Sequence, residues 1–158
     1  MTDWYDEVVM PALLGSARQT YGMAIRRALL DGGFDDMPRR GAAVVGGINN
    51  NGPAPQQEFG RYLGVSKQRA SQLVDELVGL GYIERASDPA DRRRTLLTLT
   101  PRGKDAAKCS AAGVARVDTA LRRRFTADEL AATRRVLGTM IDIGDRARER
   151  AEKRSDGG

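Results

Sequence analysis

The chain has 158 residues, with 26 basic and 21 acidic side chains, no histidine and a single cysteine, Cys109. That length sets one domain or a small pair of sub-domains, and a hydrophobic content of 41% suffices for a core. The missing histidine excludes Ser-His-Asp and Cys-His nucleophiles and histidine-ligated metal sites, and one cysteine permits neither an intrachain disulfide nor a cysteine-rich zinc site.

No apolar run reaches membrane-spanning length. The opening MTDWYDE carries acids where an export signal carries positive charge, so the expected compartment is the cytoplasm. The net charge of +5 favours a polyanionic partner. Much of it is local: between Tyr82 and Lys104 there are 6 bases against 3 acids.

Apolar residues at helical spacing predict a first helix over 11–30, ended by Gly32-Gly33, with Pro11 in its first turn and a separate short helix before it. A second helix over 37–48 (MPRRGAAVVGGI) is weakened by its glycines. NNNGPAP, 49–55, reads as a loop. PQQEFGRYLG then gives a short helix with Phe59 and Leu63 on one face and Gly64 as its C-terminal cap. Ser66 is a good N-cap for the next helix, 67–80, whose apolar stripe is Ala70, Leu73, Val74 and Leu77. Gly81 ends it, and 82–100 reads as a β-hairpin with turn formers in its middle. Thr100-Pro101 opens a long helix to about Arg124. Thr126 with Glu129 is a capping-box pattern, and Phe125 with Leu130 a hydrophobic staple, for a last helix over 127–153.

Helix, turn, helix and hairpin is the layout of a winged helix-turn-helix. The fold class expected is therefore mainly α with a small β-hairpin wing, joined to a further helical region. On the second helix of the motif the apolar stripe leaves Gln68, Ser71, Gln72 and Asp75 facing away, with Lys67 and Arg69 flanking. Gln pairs with adenine, Arg with guanine, and Ser with phosphate or base, while a helix N-terminus offers free N–H groups to phosphate. Ser66, Lys67, Gln68, Arg69, Ser71 and Gln72 are thus candidate DNA contacts. For this helix alone, a solvated surface face is an equal reading. The hairpin tips the balance. Arg92, Arg93 and Arg94 stand in a row and repel one another unless an anion neutralises them. An arginine at a loop tip suits a narrow minor groove, and Asp88 and Asp91 are placed to support the wing by bidentate pairing with such a guanidinium.

The stretches LGVSKQRASQLVDELVGLGYIER and DPADRRRTLLTLTPRGK resemble the MarR family of multiple antibiotic resistance regulators. The resemblance implies a homodimer in which 1–34 and 101–154 form a helical dimerisation region and 35–100 the winged DNA-binding domain. It implies double-stranded DNA with a pseudo-palindromic operator as partner, and a repressor released by a small-molecule inducer or by oxidation. It places Gln68, Arg69, Ser71 and Gln72 at base-reading positions, Arg92 and Arg93 on the wing with Arg93 at its minor-groove tip, and Asp91 as the carboxylate that braces it. It leaves the inducer-binding residues unassigned: Trp4, Tyr5, Arg18 and Tyr21 could reach the place between dimer helices and winged domain where the family's pocket usually lies, but aromatics at helical spacing are more often plain core. Three departures stand out: the N-terminal reactive cysteine of the hydroperoxide-sensing branch is missing, the histidines of zinc-sensing members are absent, and the second helix is unusually rich in glycine for the family.

Two other readings remain at this stage. One is a weakly specific architectural DNA-binding protein. The other is a winged-helix protein-interaction module, for which Asp75 and Glu76 beside the reading helix speak. An enzyme is not expected, because no phosphate-binding glycine loop, metal-ligand cluster or activated nucleophile is present. Hence no catalytic residue, metal, cofactor or membrane partner is expected. Asp35 and Asp36 are adjacent in a loop without an evident partner.

Overall fold

Local capping chemistry sets most element boundaries in the computed structural model, which describes residues 3–91 and 93–155. After a 3-10 turn at Trp4–Glu7, α1 (Met10–Asp31) carries Pro11 in its first turn, where a missing N–H costs nothing. It stops where the Gly32 N–H donates back to the carbonyls of Ala28 (3.0 Å) and Leu29 (3.1 Å). The glycine-rich segment does form a helix, α2 (Gly41–Asn51), which buries Val44, Val45 and Ile48. One of its glycines is required by packing. A Cβ at Gly41 would meet the Met37 sulfur at 2.7 Å and Leu77 Cδ2 at 2.9 Å.

The 49–55 loop is corrected on two counts. Asn49, Asn50 and Asn51 complete the last turn of α2, and Ala54–Pro55 is a short strand, β1. That strand exists because an open edge of another strand is there to pair with, and Pro55 is tolerated because β1 is itself an edge. Next come α3 (Gln56–Leu63) and α4 (Lys67–Gly79). Gly64 between them and Gly81 after α4 both have positive φ, +60° and +75°, a backbone shape that glycine adopts without a steric penalty. β2 (Ile83–Ser87) and β3 (Thr95–Leu99) form the expected hairpin in the register Ile83↔Leu99 to Ser87↔Thr95. β1 pairs with the other side of β3, so the sheet has three strands in the order β1-β3-β2.

Thr100 links the sheet to the next helix. Its hydroxyl accepts from the Gly103 N–H (3.0 Å), capping α5 (Pro101–Arg122), and is hydrogen-bonded to the carbonyl of Gly81 at 2.6 Å. Gly103 lies so close to the sheet that a Cβ there would stand 1.9 Å from the Tyr82 carbonyl oxygen. α6 (Ala127–Ser155) starts with the expected capping box: Thr126 N–H donates to Glu129 Oε2 at 2.8 Å and Glu129 N–H to Thr126 Oγ1 at 3.3 Å. Those hydrogen bonds, from the Thr126 N–H first and its hydroxyl second, hold the Glu129 carboxyl below its ordinary pKa.

The chain divides into one compact unit reaching to Val117 and a second beginning at Asp118. The core of the first gathers Leu29 of α1, Val44 of α2, Phe59 of α3, Leu77 of α4, Tyr82, Leu97 of β3 and Ala106 of α5. Cys109 is half-buried against this core. In the second unit, α6 exposes Val136, Met140, Ile141 and Ile143. Among the described residues no helix is long and apolar enough to cross a membrane.

Asp36 is not without a partner. It accepts a short hydrogen bond from the Tyr82 hydroxyl and a bidentate pair from Arg102 Nη2 at 2.9 and 3.0 Å. The same guanidinium lies 4.3 Å from the centre of the Tyr82 ring and donates to the Leu80 carbonyl. Asp36 therefore ties the α1–α2 connection to the end of α4 and the start of α5. The Tyr82 hydrogen bond, and after it Arg102, holds its carboxyl below the ordinary value. Burial, together with Asp36, pushes the Tyr82 phenol up to about 12.

Candidate nucleic-acid interface

α4 is amphipathic because its apolar residues recur at three- and four-residue spacing. Ala70, Val74 and Leu77 are buried and Leu73 is half-buried against the core. The Ser66 hydroxyl accepts from the Arg69 N–H at 3.3 Å, which fixes the start of the helix. Lys67, Gln68, Arg69 and Gln72 are exposed, as the helical spacing requires. Arg69 does not share the direction of Gln68 and Gln72. It turns toward an open hollow of about 290 Å³ lined also by Arg39, Arg40, Val65, Leu73 and Glu76.

Ser71 departs from the sequence expectation, for it is half-buried rather than pointing away. Its hydroxyl oxygen accepts from Gln56 Nε2 at 3.1 Å, and Gln56 Oε1 faces Arg85 Nη2 at 3.4 Å. A guanidinium only donates, so the Gln56 oxygen belongs toward Arg85 and its NH2 toward Ser71.

The wing loop is built by its aspartates, which among the described residues bond mainly to the backbone. Asp88 Oδ1 accepts from the Ala90 N–H at 2.9 Å, and Asp91 Oδ1 from the Arg93 N–H at 3.0 Å. Backbone bonds from Asp88 N–H to the Arg94 carbonyl (2.9 Å) and from Arg94 N–H to the Asp91 carbonyl (2.8 Å) close the loop. Short Asp side chains are better suited to such local turns than to reaching an arginine head group. Among the described residues of the loop, Asp88 Oδ2 forms a long ion pair with Arg94 Nε at 3.9 Å. Arg93 is exposed, and among the described residues its guanidinium has no partner. Arg92 lies outside the described residues.

The reading helix and the wing meet through a contact that sequence reasoning missed. Arg85 of β2 pairs with Asp75 of α4 at 2.5 Å. A signal was present: Asp75 is an acid on a face meant for a polyanion, and such a charge calls for a basic neighbour.

A helix-turn-helix with an exposed polar second helix and a basic wing beside it defines a winged helix-turn-helix DNA-binding protein. The MarR family model matches residues 35–94. The uncharacterized HTH-type transcriptional regulator YcgE of Bacillus subtilis (strain 168) is 30% identical over 106 residues, which are 67% of this chain and 69% of that protein. A crystal structure of MarR has 25% identity and a TM-score of 0.69 over 94% of this chain and 97% of its own. The apo form of E. coli MarR has 22% identity and a TM-score of 0.61, covering 84% and 96%. A MarR regulator from Methanosarcina mazei Go1, 19% identical over 85% and 98%, has a TM-score of 0.66. The chain belongs to the MarR family of transcriptional regulators.

Proposed function

We propose that this chain is a dimeric repressor that reads a pseudo-palindromic operator in the cytoplasm and is released by a small-molecule inducer. In this reading Gln68, Arg69, Ser71 and Gln72 meet base edges, while Ser66 and Lys67 at the helix start meet phosphate. Arg92 and Arg93 enter the minor groove beside them, and Asp88 and Asp91 hold the loop that presents them. The observation that carries the reading is the Arg85–Asp75 contact, which seats the wing against the exposed face of α4 so that both can address one duplex. Dimerisation through 1–34 and 101–154 is supported by exposed apolar side chains on α1 (Met10, Met23) and α6 (Ile141, Ile143). Release by a small ligand rests on family membership.

The test is binding of the purified protein to DNA upstream of its own gene, against scrambled DNA of equal length, across a salt series. Tight, sequence-selective binding that persists at physiological salt is expected. Equal, steeply salt-sensitive binding to both duplexes would instead support the architectural reading.

A further inference from the structure

The exposed face of α4 contains a contradiction. A helix that meets phosphates carries Asp75 among Gln68 and Gln72. The Asp75 side chain is 61% exposed, and a bare carboxylate there would be repelled by the DNA backbone. The Arg85 guanidinium on β2 answers it at 2.5 Å, and Gln56 Oε1 faces the same nitrogen at 3.4 Å. From the geometry we infer that Arg85 is a positioning residue for DNA recognition, one that masks the Asp75 charge and docks the wing on the reading helix instead of contacting DNA itself. The inference rests on the DNA-binding reading above. In the free protein an ion pair this exposed contributes little to stability, so its effect belongs to the complex, where water is displaced and an unmasked carboxylate faces phosphate.

The probe is a duplex enriched by the wild-type protein from a randomised pool, with affinity measured across a salt series. Arg85→Ala is expected to weaken binding by about tenfold. Adding Asp75→Asn is expected to restore most of that loss, since the carboxylate that needed masking is gone. The double variant should also keep the wild-type salt slope. A salt slope lowered by about 0.9 in the double variant, without recovery of affinity, would overturn the proposal and make Arg85 a phosphate contact. Undiminished binding by Arg85→Ala alone would overturn it too, leaving an ordinary surface pair. Melting curves of each variant report whether the fold survives, and Arg85→Gln replaces Arg85→Ala if the latter unfolds. Failure of the wild-type protein to enrich any duplex would overturn the DNA-binding reading, a result distinguishable from both others.

Discussion

At the scale of single residues, the side chains best suited to meet DNA are those the protein itself leaves unused. Arg93 is the clearest case: its backbone N–H is held by Asp91, which fixes the loop, while its guanidinium has no partner among the described residues. Arg93→Ala is expected to weaken operator binding and to lower the salt slope by about 0.9, one phosphate-neutralising charge. Sedimentation should show the same oligomeric state as the parent, because the loop lies on the hairpin. Gln72 differs in kind. It is exposed in the middle of α4, where a carboxamide can reach a base edge. Gln72→Ala is expected to cost roughly 1–3 kcal/mol on the preferred operator and little on sequences altered at the base it reads. Selection from a randomised operator pool would reveal the changed preference, whereas an equal loss on every sequence would make Gln72 a backbone contact. Helical phase put Gln68 and Gln72 away from the apolar stripe, and both are exposed. Ser71 was placed less well because it sits on the flank, where the Gln56 amide, distant in sequence, reaches it.

At the scale of elements, legibility followed the range of the interaction. The start of α4 at Ser66, the end of α3 at Gly64 and the capping box of α6 depend on residues within about one turn of each other, and they were readable. β1 was not, since two residues become a strand only when a partner edge is supplied by Leu96 and Leu97. Nor was the Asp36 cluster, whose partners Tyr82 and Arg102 lie 46 and 66 residues away. That cluster makes a pH prediction. In the unfolded chain the Tyr82 phenol titrates near 10, and in the native protein only at about 12. The native state therefore holds this proton more tightly. The stabilisation it contributes is complete below about pH 10 and is lost as pH rises toward 12. Asp36 has the opposite sign: its native carboxyl titrates below its unfolded value, so its contribution is present at neutral pH and fades in acid. Tyr82→Phe is expected to cost about 1–2 kcal/mol at neutral pH. Urea unfolding of parent and variant at neutral and alkaline pH should show the difference between them shrinking as the phenol ionises. A constant difference would mean that the ring, not its hydroxyl, supports the fold.

For the molecule as a whole, a regulator of the kind proposed gains from a second copy. One winged domain offers one reading helix and one wing, which is enough for half an operator. Pairing two copies makes the second contact intramolecular, and avidity of this kind raises affinity by about 10²–10⁴ without any new residue. In the sequence a dimer was implied only by family resemblance, because an unpartnered apolar stripe on a helix is also what a buried helix shows. In the folded chain the stripe stays open: on α6, Val136, Met140 and Ile143 are 53%, 39% and 63% exposed, and their four- and three-residue spacing puts them on one side of the helix. Contiguous exposed apolar surface of this kind marks an interaction site, which is what the proposed dimer requires. Replacing both Val136 and Ile143 by Lys puts two like charges on that side of the helix and, in a dimer, repeats them on the partner copy. The variant is expected to sediment as a monomer while keeping the parent's helical circular dichroism, since neither side chain belongs to the core of the first unit. Its affinity for a full operator should fall by about 10²–10⁴, down to its affinity for an isolated half-site. If it is monomeric yet binds the full operator as tightly as the parent, each chain must read its half independently and the operator's symmetry has no energetic role. If it remains a dimer, the pairing surface lies elsewhere, and α1 with its exposed Met10 and Met23 is the next to be tested.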